Sequence, residues 1–215
     1  MAGKISALLL ALVMVFSFTA CGEKADENGP TATESQTDTE ETKTEKYGIH
    51  HAVIKFKDLG EVELELDGDT APITVKNFVD LANEGFYDGL TIHRNVPGFV
   101  IQGGDPDGNG TGGSGKPIKG EFKANGIENN ISHKRGVISM ARLSNDMDSA
   151  TSQFFIVLDD AAIPSLDNLY AGFGHVTKGM EIVDKIAAET PIEDPYSGSV
   201  AKDKQPVIES IKIID

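Results

Sequence analysis

From residue 47 onward the spacing of apolar residues changes period several times. In HAVIKFKDLGEVELELDGD, apolar and polar positions alternate on both sides of Asp58-Leu59-Gly60, which predicts two strands joined as a hairpin. In TAPITVKNFVDLANEGF the period lengthens. Val75, Phe78, Val79 and Ala82 stand at i, i+3, i+4 and i+7, the stripe of an amphipathic helix. Thr70 or Asp69 is placed to cap it, Pro72 falls near its first turn, and Gly85 can end it. LTIHR, GFVIQGG, GVISMA, QFFIVL, AGFGHV and PVIESIKIID read as short strands. KGMEIVDKIAAET reads as a second helix with Met180, Val183 and Ala187 on one face, and Gly104 to Gly120 as a long glycine-rich loop. Many short strands with two isolated helices predict a mainly β fold, a closed antiparallel barrel with the helices over its openings. A parallel α/β sheet would need a helix between most strands.

The first 46 residues follow different rules. MAGKISALLLALVMVFSFTAC has one early lysine, an apolar run from about Ala7 to Phe18, then small residues and a cysteine. That is the layout of a signal peptide over residues 1–20. The run is short for a membrane span, which takes about 20 apolar residues. Phe18-Thr19-Ala20-Cys21 resembles the lipobox of bacterial lipoproteins, with Phe18 where leucine is preferred. The resemblance implies a lipid on Cys21 and an extracytoplasmic protein, at the outer face of a cell membrane or in a periplasm, touching the membrane through that lipid alone. Cys21 is the only cysteine, so no intramolecular disulfide forms. Residues 22–46, dense in Thr, Glu and Asp, bury too little apolar surface to offset ordering entropy and are expected to form a disordered tether. Residues 47–215 have the length of one domain.

Charge and motifs then remove whole classes of function. A formal net charge of −15 argues against nucleic acid and against anionic lipid as partners of the domain surface. Gly110-Thr-Gly-Gly-Ser-Gly115-Lys116-Pro117 fits a phosphate-binding loop except for the proline where a hydroxyl residue must hold magnesium. Asp105-x-Asp107-x-Asn109-Gly110 starts like a calcium loop, but its twelfth position is Lys116 instead of a bidentate glutamate. The adjacent His50 and His51, expected to be exposed, do not have metal-ligand spacing, and no G-x-S-x-G nucleophile motif occurs. Neither metal nor cofactor is expected.

One stretch needs a chemical reason. TIHRNVPGFVIQGGD places Arg94 a few residues from Phe99, Val100 and Ile101, with Gln102 nearby. A guanidinium among apolar residues is costly unless something uses it. Read together with SMARLSNDMDSATSQFFIVL and SLDNLYAGFGHVTKGMEIVDKI, this stretch resembles the cyclophilin family of peptidyl-prolyl cis-trans isomerases. The first stretch resembles that family's F-H-R-x-x-P-x-F-x-x-Q-G-G-D and the second its S-M-A … S-Q-F-F. The likeness runs in order over nearly all of residues 47–215.

The resemblance implies a closed eight-stranded antiparallel β-barrel capped by two α-helices, and a monomer acting on proline-containing polypeptides. It implies that Arg94 is catalytic and that Gln102 orients it and holds the peptide backbone. Phe99, Val100, Phe155 and Leu166 would wall the proline pocket, with Tyr170 beside them. Ala141 and Arg142 would contact the residue before proline, Gln153 would line that side, and Gly110 would stand beside the groove. The family's best-known eukaryotic members carry tryptophan where Ser165 stands, histidine at Tyr170, and a slightly shorter segment between Met140 and Gln153. That tryptophan matters for cyclosporin, so weak cyclosporin affinity is expected. His93 is assigned a structural role. Two other readings compete: a proline-peptide-binding chaperone or scaffold with little turnover, and a solute-binding lipoprotein, for whose two lobes the domain is too short.

Overall fold

The computed structural model describes residues 46–215. The expected signal peptide, Cys21 and all but the last residue of the acidic tether lie outside the described residues. Eight strands follow one another in a single antiparallel sheet: β1 (Ile49–Phe56), β2 (Gly60–Asp67), β3 (Thr91–Val96), β4 (Val100–Asp105), β5 (Val137–Met140), β6 (Phe154–Val157), β7 (Gly172–Lys178) and β8 (Ile208–Ile213). Their spatial order is β3-β4-β6-β5-β7-β2-β1-β8. The predicted hairpin is β1–β2, paired from Phe56↔Gly60 to Ile49↔Asp67, with Asp58 and Gly60 supplying the positive φ of the turn.

The sheet curls into a half-barrel and does not close as expected. The edge strands β3 and β8 share no ladder. They meet at one bridge, Thr91↔Val207, flanked by Ile92 N–H donating to the Pro206 carbonyl and Ile208 N–H donating to the Leu90 carbonyl. Pro206 has no N–H to extend the pairing.

Alternation decides which side chains enter the interior. In β2, Val62, Leu64 and Leu66 are buried while the intervening glutamates are not. The interior continues through Ile54, Ile92, Ile101, Ile138, Phe154, Ile156 and Ile211. Helix α1 (Pro72–Asn83) lays Val75, Phe78, Val79 and Ala82 into this core and packs on β8 and β2. Helix α3 (Met180–Glu189) packs on β2 and buries Val183 and Ile186, with Met180 and Ala187 partly buried alongside. A third helix, the single turn α2 (Ile163–Leu166), was not anticipated.

The cap of α1 also differs from expectation. Ala71 occupies the N-cap and makes no side-chain bond; neither Thr70 nor Asp69 caps the helix. Instead the buried carboxylate of Glu121 reaches across from a distant loop and accepts from Ile73 N–H at 3.0 Å and Thr74 N–H at 2.7 Å. Asp67 engages the Asp69 and Thr70 amides. Gly85, at φ +71, follows the helix as predicted. No helix among the described residues is long and apolar enough to cross a membrane.

Candidate active site

The site lies on the other face of the same sheet. Phe154 and Ile156 of β6 enter the main core, whereas Phe155 and Val157 join a second apolar cluster with Val100, Val137, Ala162 and Leu166. The unbroken apolar run of QFFIVL thus reflects burial on both faces. Phe99, Ala141 and Tyr170 pack against this second cluster.

A bulge delivers the arginine. Ile92 pairs with Gly103 and Arg94 with Gln102, which leaves His93 as the extra residue. In a regular strand Ile92 and Arg94 would share a face. The bulge breaks that rule, so Ile92 fills the core while Arg94 lines a cavity beside Phe155. Arg94, Gln102, Phe155 and Ser139 form one rung across β3, β4, β6 and β5.

The guanidinium is held on two sides. Nε donates to the Ser197 carbonyl at 2.7 Å and Nη1 to Gln102 Oε1 at 3.2 Å. Gln102 Nε2 donates to Gln153 Oε1 at 2.9 Å, and Gln153 Nε2 donates to the carbonyls of Gly112 at 2.8 Å and Gly110 at 3.1 Å. Because this relay ends on backbone carbonyls, which only accept, each amide is fixed in one orientation. Burial lowers the Arg94 pKa from the usual arginine value, yet a guanidinium stays charged in proteins.

Two adjoining cavities gather every catalytic and substrate-binding residue named from the sequence. One, of about 240 Å³, is lined by Arg94, Phe99, Val100, Gln102, Ala141, Arg142, Phe155, Leu166 and Tyr170. The other, of about 320 Å³, shares Gln102, Ala141 and Arg142 with it and adds Gly110 and Gln153. Ser165 is exposed on α2, next to Leu166. A half-buried cation therefore shares with an apolar wall a cavity large enough for a small ring, with polar donors and acceptors leading away from it.

The family model of cyclophilin-type peptidyl-prolyl cis-trans isomerases matches residues 51–215. The chain belongs to this family. Peptidyl-prolyl cis-trans isomerase A of Dickeya dadantii is 46% identical over 160 residues, which are 72% of this chain and 80% of that protein. Peptidyl-prolyl cis-trans isomerase B of Bacillus subtilis is 47% identical over 132 residues, 61% of this chain and 87% of that protein. A cyclophilin-type isomerase of Cryptosporidium parvum, solved in the presence of the dipeptide Ala-Pro, superposes with a TM-score of 0.66 at 30% identity, covering 77% of this chain and 99% of that one.

Behind the pocket of this cyclophilin lies a polar support that the sequence reading missed. The His133 ring stacks on Phe155 with centroids 6.1 Å apart. Its Nδ1 lies 2.9 Å from Asp167 Oδ1 and its Nε2 3.0 Å from Ser139 Oγ. An ionised Asp167 only accepts, so Nδ1 carries the proton and Ser139 donates to Nε2. The order Ser–His–Asp mimics a nucleophilic triad, but Ser139 and His133 are both buried from any substrate. Burial lowers the His133 pKa against the opposing pull of Asp167. The Asp167 pKa falls despite burial, because the His133 amide, the Ser132 hydroxyl and the His133 ring all bond to it.

Ser197 was also missed, because it acts through a backbone carbonyl. The available signal was Asp194-Pro195-Tyr196-Ser197: the Asp194 carboxylate accepts from Tyr196 N–H and from the Ser197 hydroxyl, folding the turn that presents that carbonyl. His93 is buried with no hydrogen-bond partner for either ring nitrogen among the described residues, and a Cβ at Gly110 would just reach its ring. His50, expected to be exposed, is half-buried, bonded to Asp215 and to the Tyr47 carbonyl. Asp215 also receives the His51 amide.

Proposed function

We propose that this peptidyl-prolyl cis-trans isomerase turns over its Xaa-Pro substrates at the Arg94 cavity. A peptide bond resists rotation because the nitrogen lone pair is delocalised into the carbonyl, a barrier of about 18–20 kcal/mol. Before proline both isomers are populated, and exchange takes tens to hundreds of seconds. Only the twisted amide has a localised, basic nitrogen lone pair. A donor aimed at that nitrogen therefore binds the transition state better than either planar form.

Arg94 is that donor. Nε and Nη1 are held by Ser197 and Gln102, while Nη2 makes no hydrogen bond among the described residues and can donate to the prolyl nitrogen. Phe99, Val100, Phe155 and Leu166 grip the apolar ring while the preceding carbonyl swings. Excluding water there strengthens the arginine's bond. The observation that carries the reading is this doubly anchored guanidinium in one cavity with the apolar side chains Phe99, Val100, Phe155 and Leu166. The solved relative studied with Ala-Pro supports proline-containing chains as substrates. Exchange spectroscopy on an Ala-Pro peptide tests it: Arg94→Ala should lose most turnover while remaining folded, and equal rates would refute the role.

We also place the enzyme outside the cytoplasm, tethered by lipid on Cys21 and acting as a monomer on unfolded or surface-exposed chains. The support is the signal-like residues 1–20 and the Phe18–Cys21 stretch. Intact-mass measurement should show a mature chain starting at a diacylated Cys21, and Cys21→Ser should leave the membrane fraction. An unmodified mass would overturn the tether.

A further inference from the structure

The groove carries an electrostatic bias that the isomerase reaction does not require. Across its two cavities the only charged lining residues among the described residues are Arg94 and Arg142. This holds in a chain whose formal net charge is −15. Arg142 lines both cavities and has no carboxylate partner among the described residues: Nε donates to the Leu169 carbonyl at 3.1 Å and Nη1 to the Leu143 and Ser144 carbonyls at 2.9 and 3.3 Å. Its guanidinium carbon stands 4.7 Å from the Tyr170 ring centre and 5.2 Å from that of Phe122. The two acids nearest in sequence are engaged elsewhere. Asp148 binds Lys119 and Asn125, and Asp146 receives the Asp148 amide. A stacked guanidinium held by neutral carbonyls keeps its full charge in a fixed place. Nη2 makes no hydrogen bond among the described residues.

We propose that Arg142 makes this isomerase selective for an acidic side chain, Glu or Asp, at the second residue before the proline. The inference rests on the smaller cavity being the proline site. With the ring seated there, the residue before proline passes Ala141, and one further step of about 3.4 Å along an extended chain enters the larger cavity. Among the described residues, Arg142 is the one charge lining that cavity. The acidic chain as a whole repels acidic peptides at long range, but salt screens that field beyond about 8 Å and leaves a close pair largely intact.

The test is an exchange-NMR rate series on peptides of form Xaa-Ala-Pro-Phe with Xaa Glu, Gln or Lys, using no coupling protease. Wild type should show kcat/KM about fivefold higher for Glu than for Gln, with Lys lowest. Arg142→Met should level the series and Arg142→Lys should restore part of the preference; thermal melts confirm folding. A wild-type series with Glu no better than Gln, while all peptides turn over, overturns the selectivity and leaves the isomerase reading standing. No turnover of any peptide overturns both. If Arg142→Met does not fold, Arg142→Gln takes its place, and a Glu preference that survives loss of the charge overturns the role of Arg142.

Discussion

Arg94 and Gln102 are register partners across the β3–β4 ladder, and Nη1 of the arginine donates to Oε1 of the glutamine at 3.2 Å. Arg94 could not take this position in an unbulged strand, since it would then follow Ile92 into the core.

That relationship makes charge alone insufficient. Arg94→Lys keeps a cation but cannot donate in one plane to Ser197, Gln102 and a substrate nitrogen together. It should lose about a hundredfold in kcat/KM, close to the loss in Arg94→Ala. Peptide exchange spectroscopy with melting curves checks this. A lysine variant near wild-type rate would show that the planar fork is unnecessary.

The glutamine relay should matter less than the arginine it orients. Gln102→Ala leaves the guanidinium anchored at Ser197 alone, and a small misplacement of a reacting group costs up to about a hundredfold. We expect about a tenfold loss of kcat/KM, and a smaller one for Gln153→Ala, which removes the outer link.

Glu121 should be a stability residue remote from the chemistry. Glu121→Gln turns one acceptor into a donor facing the amides at the start of α1. The expected cost is about 2 kcal/mol, seen as a fall of about 4–8 °C in melting midpoint, with unchanged turnover per folded molecule. A melting curve that overlays wild type would refute the cap.

Acid should loosen the fold through its buried histidines. Burial lowers the pKa of both His93 and His133 in the folded state from a starting value of 6.5. Below pH 6.5 the unfolded chain binds protons that the folded chain resists, so stability is full above 6.5 and is lost as pH falls toward the folded values. The melting midpoint should drop on acidification from pH 7 to 5. His93→Leu, which removes a ring with no hydrogen-bond partner among the described residues, should flatten part of that slope at little cost near pH 8. An unchanged slope would exclude His93 as a contributor.

Ser165 should limit cyclosporin. It is an exposed serine on α2 where the family's best-known eukaryotic members carry tryptophan. An inhibition titration should lack a tight stoichiometric end point, and Ser165→Trp should tighten it by about tenfold or more. Tight inhibition of the wild type would contradict this.

Much of this was legible in the chain because it depends on local pattern. The hairpin around Asp58, the stripe from Val75 to Ala82 and the strand TIHR all survive folding. Glu121 was not legible, since a side chain 47 positions from Thr74 leaves no trace in the spacing around the helix it caps. Nor was the seam at Thr91 and Val207, where a proline decides how far two edges can pair.

Local periodicity fixed the strands and the two long helices, because side-chain period and steric preference act between near neighbours, whereas the residues that gather at the cavity were named by the resemblance of their motifs to the cyclophilin family. Only the tertiary structure decided how Arg94 is aimed, that Ser197 and Gln102 hold it, and that His133 supports Phe155 from behind. Those facts depend on a one-residue bulge and on groups distant in sequence meeting within hydrogen-bonding range, and a linear pattern encodes neither.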